Sequence, residues 1–190
     1  MFVLGIDPGL SRCGYGCATR TAAGFRATAA GVITTAAAEP LPRRLASLRA
    51  DLVALIAELE PQVVVVERIF FRSNAKTAMS VAQASGVALL TAEEQGCEVI
   101  EYTAAEVKLA VTGYGSATKE QVQLMVARLA GLPEPPRPAD AADALALALT
   151  HLGTASWART TTSERVVSPE ATAERHVAET ASGRAKVGAR

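Results

Sequence analysis

Hydrophobic positions follow two different periods along the chain. Residues 2–6 form a short apolar run that stops at Asp7-Pro8-Gly9, a pattern typical of a strand buried on both faces of a sheet. Residues 14–19 and 25–34 predict two more strands, and the short link between them favours an antiparallel meander. The first three strands should therefore lie side by side.

A helical period comes next. Leucines and one isoleucine recur at helical spacing over residues 45–59, between prolines at positions 40 and 42 and Pro61. The β-branched run at 63–66 then predicts a strand that finishes at Glu67. Because crossovers of this kind are right-handed, this strand should run parallel to an earlier one. If its neighbour is the first strand, about 4.8 Å away, Asp7 and Glu67 come within reach of a shared cation.

The second half of the chain alternates helices with one more strand. A cap at Ser73 or Asn74 predicts a helix to about residue 95, and residues 98–102 predict a strand. Ser/Thr-x-x-Glu/Gln capping boxes open the two following helices, at Thr103 and Thr118. After a proline-rich connector, a helix should begin near Asp140. These elements predict an α/β domain over residues 1–153, with a five-stranded mixed sheet covered by helices on both faces.

Composition limits the possible classes of protein. The 190 residues carry 19 basic and 19 acidic side chains, so net charge gives no case for nucleic-acid binding, and any such case must be local. Three cysteines without C-x-x-C spacing argue against disulfides or a zinc site. There is no signal peptide or membrane-span pattern. We therefore expect a soluble cytoplasmic protein, with a mostly disordered tail over residues 154–190, which contain few large apolar side chains.

Four acids form the strongest chemical pattern. Asp140 and Asp143 are three residues apart and so share a helical face. Together with Asp7 and Glu67 they could form a four-carboxylate pocket of the kind that suits Mg²⁺. Two such ions can activate water and stabilise a leaving oxygen in phosphodiester hydrolysis. The alternatives are a plain turn at Asp7 and simple capping at Asp140.

The chain resembles the RuvC family of bacterial Holliday junction resolvases. The resemblance rests on residues 5–9, on the strand ending at Glu67 and on residues 140–146, and it runs in order over about residues 2–152. It implies a ribonuclease-H-like fold, a homodimer, and Mg²⁺-dependent cutting of two opposed strands at a four-way DNA junction. By position, the family's metal-binding catalytic carboxylates match Asp7, Glu67, Asp140 and Asp143. It also implies two Mg²⁺ ions per active site, with Mn²⁺ as a substitute, and the branch-migration proteins RuvA and RuvB as partners.

The resemblance suggests DNA contacts as well. The loop after Glu67 places two aromatic side chains among cations, which is typical of core residues or of a wedge that unstacks bases. Lysines 108 and 119 are ordinary solvated charges or phosphate contacts. The predicted DNA-binding set is Arg68, Phe70, Phe71, Arg72, Lys76, Lys108, Gly113, Gly115 and Lys119.

Small residues recur at one-turn spacing on the helix that follows this loop. Ala78, Ala82 and Gly86 form a stripe that either packs against the sheet or forms a dimer interface.

We predict a structure-selective endonuclease that resolves Holliday junctions in recombination and repair. Two alternatives remain: a catalytically inactive junction-binding protein and an actin-like ATPase lobe. The ATPase class needs a second lobe and further glycine turns.

Overall fold

The computed structural model describes the backbone of residues 1–69 and 75–163 and the side chains of residues 1–69 and 78–155. Its strands are β1 (Phe2–Asp7), β2 (Arg12–Thr21), β3 (Gly24–Thr34), β4 (Val63–Arg68) and β5 (Glu98–Thr103). They form one sheet in the order β3-β2-β1-β4-β5. The β1–β2 and β2–β3 pairs are antiparallel, whereas β1–β4 and β4–β5 are parallel. The predicted meander, crossover and mixed sheet are confirmed.

Helices cover both faces of this sheet. They are α1 (Leu41–Leu59), α2 (Ala75–Glu94), α3 (Ala104–Thr112), α4 (Lys119–Leu129) and α5 (Ala139–Ser163). Side chains alternate along β1, so Val3 joins a core with α3, α4 and α5, whereas Leu4 and Ile6 join a core with α1 and α2. The central strands β1 and β4 are therefore apolar on both sides, which explains their unbroken hydrophobic runs.

Glycines in β1 and β2 let α5 lie directly on the sheet. A Cβ at Gly5 would sit 2.0 Å from the Ala144 carbonyl oxygen, and one at Gly14 would sit 2.1 Å from the Asp140 carbonyl oxygen. Gly5 pairs with Gly16, and Asp7 pairs with Gly14. Any larger residue at these positions would push α5 outward, so the glycines set how closely the start of α5 approaches Asp7.

Capping boxes in the sequence predicted the starts of two helices, α3 and α4. Both predicted capping boxes are present, at Thr103 with Glu106 and at Thr118 with Gln121. The three cysteines are buried and unpaired, as expected. No helix in the described part of the chain is long and apolar enough to cross a membrane.

The last helix of the domain continues past residue 153. The chain divides into compact units of Met1–Ala155 and Ser156–Arg190, and α5 continues through residue 153 to Ser163. No proline interrupts the chain between positions 138 and 169. The hydroxyl groups of Thr154 and of Tyr102 in β5 share a hydrogen bond of 2.9 Å. Helix formation therefore reaches ten residues into the predicted tail, whose residues 164–190 lie outside the described part.

Candidate active site

Two carboxyl groups meet where the central parallel strands end. Ile6 pairs with Val66, which places Asp7 beside Glu67 at the same edge of the sheet. The two side chains share a hydrogen bond. Burial, followed by the negative charge of Glu67, raises the pKa of Asp7 to about 7. Burial also raises the pKa of Glu67. The pair therefore retains a proton near neutral pH in the absence of a cation.

The first turn of α5 supplies two more acids. Asp140 and Asp143 are partly buried, and both lie close enough to Asp7 to raise its pKa. Gly14 makes this possible because it lies under the backbone of Asp140. The structure thus places Asp140 and Asp143 in the electrostatic neighbourhood of the two acids at the strand ends.

Two cations accompany the helix acids. The Nζ of Lys119, the first residue of α4, lies 2.6 Å from Asp143 Oδ2. The guanidinium of Arg12, the first residue of β2, lies 2.8 Å from Asp140 Oδ2. The hydrogen bond to Asp143 raises the pKa of Lys119. Within the described residues, no basic side chain forms an ion pair with Asp7 or Glu67.

Two adjoining cavities open beside the acids. A cleft of about 800 Å³ is lined by the acids Asp7 and Glu67 and also by Arg68, Lys108 and Gly115. A second cavity of about 230 Å³ has a mostly aliphatic floor, and Glu67, Lys108 and Lys119 lie at its edge. This one region therefore combines acidic side chains, basic side chains and access from solvent.

The donor chemistry of this region fits a hard divalent cation. All four candidate ligands are carboxylates, the preferred donors of Mg²⁺ and Mn²⁺. The proton retained by Asp7 and Glu67 marks negative charge that the protein itself does not balance. Among the described side chains, no three acids, histidines or cysteines are already grouped as a metal site. Asp140 and Asp143 instead form ion pairs with Arg12 and Lys119.

Other predicted site residues have mixed positions. Gly113 ends α3 with a left-handed φ of 75° and donates its N–H to the Leu109 carbonyl, a capping role that by itself requires glycine. Phe70, Phe71, Arg72 and the side chain of Lys76 lie outside the described residues. Their predicted DNA contacts stay predictions.

Gly86, in the predicted stripe on α2, does not pack against the sheet. The face of α2 buried in the core carries Ala84, Ala88 and Ala92. Ala78, Ala82 and Gly86 lie about half a turn away, and a Cβ at Gly86 would meet nothing within 4 Å. Of the two interpretations of this stripe, packing against the sheet is therefore wrong for Gly86, which is exposed.

Sequence reasoning missed Arg12. Its partner Asp140 is 128 positions away, so no local spacing reveals the pair. A signal was nevertheless present, because Arg12, Gly14 and Gly16 alternate along one strand and share a face. Glycines on a strand face mark the close approach of another backbone, and Arg12 is the next side chain on that face.

Comparison with known proteins identifies the family. The sequence profile described as crossover junction endodeoxyribonuclease RuvC matches residues 3–151. The chain belongs to the RuvC family. The crossover junction endodeoxyribonuclease RuvC of Moorella thermoacetica is 50% identical over 157 residues, which cover 83% of this chain and 94% of that relative.

Solved RuvC structures agree with the fold. The Thermus thermophilus RuvC structure matches with a TM-score of 0.77 and 38% identity over 83% of this chain and 97% of the other. Thermus thermophilus RuvC in complex with Holliday junction substrate matches with a TM-score of 0.75 and 36% identity, over 83% and 96% of the two chains. The ribonuclease-H-like fold expected for a RuvC protein is therefore confirmed.

Proposed function

We propose that this RuvC family member is a crossover junction endodeoxyribonuclease that resolves Holliday junctions by hydrolysing phosphodiester bonds in two opposed strands. The family places the chain among DNA-cleaving hydrolases of recombination and repair. The observation that carries the finer proposal is the group of four carboxylates, in which burial and the neighbouring acids raise the pKa of Asp7 to about 7.

Asp7, Glu67, Asp140 and Asp143 would hold Mg²⁺, as two ions per site, with Mn²⁺ as a substitute. The bound metal would supply an activated water and charge stabilisation for the leaving oxygen. The protein's own contributions are separate from this chemistry. Lys108 and Lys119, at the edge of the cavities, would contact phosphates and hold the backbone of the DNA in register.

The exposed face of α2 that contains Ala82 and Gly86 supports a homodimer. Met79 and Leu90 are 62% and 55% exposed, and they lie on the same helical face as Ala82 and Gly86. A twofold dimer would present two equivalent acid groups to a junction that needs two symmetric cuts. Ala82→Arg should therefore convert a dimer into a monomer in sedimentation, whereas Ala57→Arg, on the exposed face of α1, should not. A wild-type monomer that still resolves junctions would contradict this proposal.

Three further points stay proposals. RuvA and RuvB are expected as partners on the same DNA, and the cytoplasm is the expected compartment.

Residues 164–190 contain four valines but no Leu, Ile, Met or aromatic residue, so they cannot bury much apolar surface. Deleting them should leave the melting temperature of the nuclease domain unchanged.

A substrate panel tests the proposed function. The protein is incubated with a mobile four-way junction, a linear duplex and an RNA–DNA hybrid, each with Mg²⁺ or with a chelator. We expect cleavage of the junction alone, at two opposed strands and only with Mg²⁺. Binding without cleavage would support the inactive junction-binding alternative, and preferential cutting of the hybrid would contradict junction selectivity. ATP hydrolysis without any cutting would support the ATPase alternative.

A further inference from the structure

Arg12 contacts one carboxylate oxygen of Asp140, Oδ2, and does not contact the other. Its Nε donates to Asp140 Oδ2 at 2.9 Å, and its Nη2 lies 2.8 Å from the same oxygen. The described residues place no hydrogen-bond donor on Oδ1. The Arg12 side chain is 50% exposed, so water screens the pair and its main effect is to orient the carboxylate rather than to stabilise the fold.

Asp140 needs such a restraint because a competing orientation is available to it. It lies in the first turn of α5, at the positive end of the helix dipole. A carboxylate at this position is attracted back toward its own helix end. The side chain is 31% exposed, so neighbouring packing does not prevent that rotation. The hydrogen bond from Arg12 opposes that rotation.

Hydrogen bonds also stabilise the turn that precedes Arg12 in the chain. The Arg44 guanidinium, on α1, donates to Ser11 Oγ at 2.6 Å and to Thr35 Oγ1 at 2.9 Å. The Thr35 hydroxyl donates in turn to the Leu10 carbonyl oxygen at 2.5 Å. These bonds tie the turn between Asp7 and Arg12 to α1 and to the end of β3. The strand position from which Arg12 reaches α5 is therefore fixed.

We infer that Arg12 is a positioning residue for the metal site: it holds Asp140 through Oδ2 and presents Oδ1 to the ion. The inference rests on the proposed function, since it takes Asp140 as a metal ligand. Carboxylates that bind metals are generally held by a second hydrogen-bonding group, and losing that group typically costs about 10–100-fold in metal affinity or activity.

Two other roles for Arg12 make different predictions. If Arg12 only neutralises Asp140 and competes with the ion, removing its charge tightens metal binding. If it only contacts a DNA phosphate, its removal weakens junction binding and leaves metal affinity unchanged. The positioning role alone predicts weaker metal binding in the absence of DNA.

The experiment is a calorimetric titration of the full chain with Mn²⁺, without DNA, for wild type, Arg12→Met and Arg12→Lys. Arg43→Met is the matched control, because Arg43 is an exposed arginine on α1 that pairs with Glu39. We expect Arg12→Met to bind Mn²⁺ about 10–100-fold more weakly, Arg12→Lys to recover part of that loss, and Arg43→Met to match wild type. Arg12→Met should add no further loss in an Asp140→Asn background. Thermal melts confirm that each variant is folded.

Unchanged or tighter Mn²⁺ binding by folded Arg12→Met would overturn the inference. So would unchanged Mn²⁺ binding accompanied by weaker binding to a four-way junction. Asp7→Asn separates this failure from failure of the proposed function. If Asp7→Asn loses Mn²⁺ while Arg12→Met keeps it, only the role of Arg12 is wrong. If Asp7→Asn binds Mn²⁺ like wild type, the proposed metal site is wrong, and the inference with it.

Discussion

The proposed active site contains two carboxylate pairs whose charge is balanced in different ways. Asp140 and Asp143, at the start of α5, each accept a bond from a basic side chain and lie at the positive end of a helix. Asp7 and Glu67, at the ends of β1 and β4, bond to each other, and burial keeps a proton on the pair near neutral pH. The protein thus balances the helix pair itself, and under the proposed function an ion would balance the strand pair.

This difference assigns different tasks to the two pairs. The strand pair is fixed by the central sheet, so its position is rigid and its negative charge is available to a cation. The helix pair starts from neutral ion pairs, so it has less to gain from an ion. Metal binding should therefore depend most on Asp7 and Glu67.

The largest expected effect is on cleavage. Asp7→Asn keeps the size of the side chain but replaces a carboxylate that we propose as a metal ligand with a poorer ligand. We expect the cleavage rate in Mg²⁺ to fall by on the order of 10³-fold, equivalent to about 4 kcal/mol of transition-state stabilisation. Glu67→Gln should behave alike, and Asp140→Asn should lose less. Junction affinity should survive in all three variants, since basic side chains provide it.

Asp51→Asn is the control for these variants because Asp51 is an exposed carboxylate on α1. It should cut at the wild-type rate. If Asp140→Asn lost as much activity as Asp7→Asn, the two pairs would be equally important, and the proposed division of roles would be wrong.

The next effect is on stability in the absence of metal. The pKa of Asp7 is about 7 in the folded protein and about 4 in an unfolded chain. The folded state therefore holds the proton more tightly, and the free energy of unfolding should fall as the pH rises from about 4 to 7. Denaturant unfolding in a chelator at pH 5 and pH 8 measures this fall.

Asp7→Asn should remove most of that pH dependence and should be more stable than wild type at pH 8, by up to a few kcal/mol. Asp51→Asn should retain the wild-type dependence. Wild-type stability that increased between pH 5 and pH 8 through the titration of Asp7 would contradict the assignment of a shared proton.

Local chemistry explains which parts of this account could be predicted from sequence. The capping boxes at Thr103 and Thr118 involve residues three apart, and the β1–β4 pairing follows from the handedness of a crossover. Once β1 and β4 are neighbours, Asp7 and Glu67 must meet. The four acids were therefore within reach of sequence reasoning.

Long-range contacts explain what was not predictable. The Arg12–Asp140 pair depends on the distance between β2 and α5, which Gly14 sets through tertiary packing. The extension of α5 to Ser163 was missed because the composition after residue 153 has few apolar residues, whereas helix formation there needs only the absence of a breaker and a contact such as Tyr102–Thr154.

The smallest effect concerns the helix pair. Lys119→Met removes the partner of Asp143, but the lysine side chain is 53% exposed, so water screens the pair. We expect a loss of about 0–1 kcal/mol in the free energy of unfolding at pH 8. The pKa of Glu67 should rise further, because Lys119 lowers it in the wild type. Chemical denaturation checks the first point, and a loss of several kcal/mol would show that the helix pair is not a screened surface pair.

Proton release on metal binding tests the central claim most directly. Calorimetric titrations with Mg²⁺, in buffers of different ionisation enthalpy, count the protons released. At pH 6 the strand pair carries its shared proton, so we expect release of about one proton per active site, and much less at pH 8. Asp7→Asn should release none and bind poorly, whereas Asp51→Asn should match wild type. Mg²⁺ binding to the wild type at pH 6 without proton release would contradict the claim that Asp7 and Glu67 hold a proton in place of the metal.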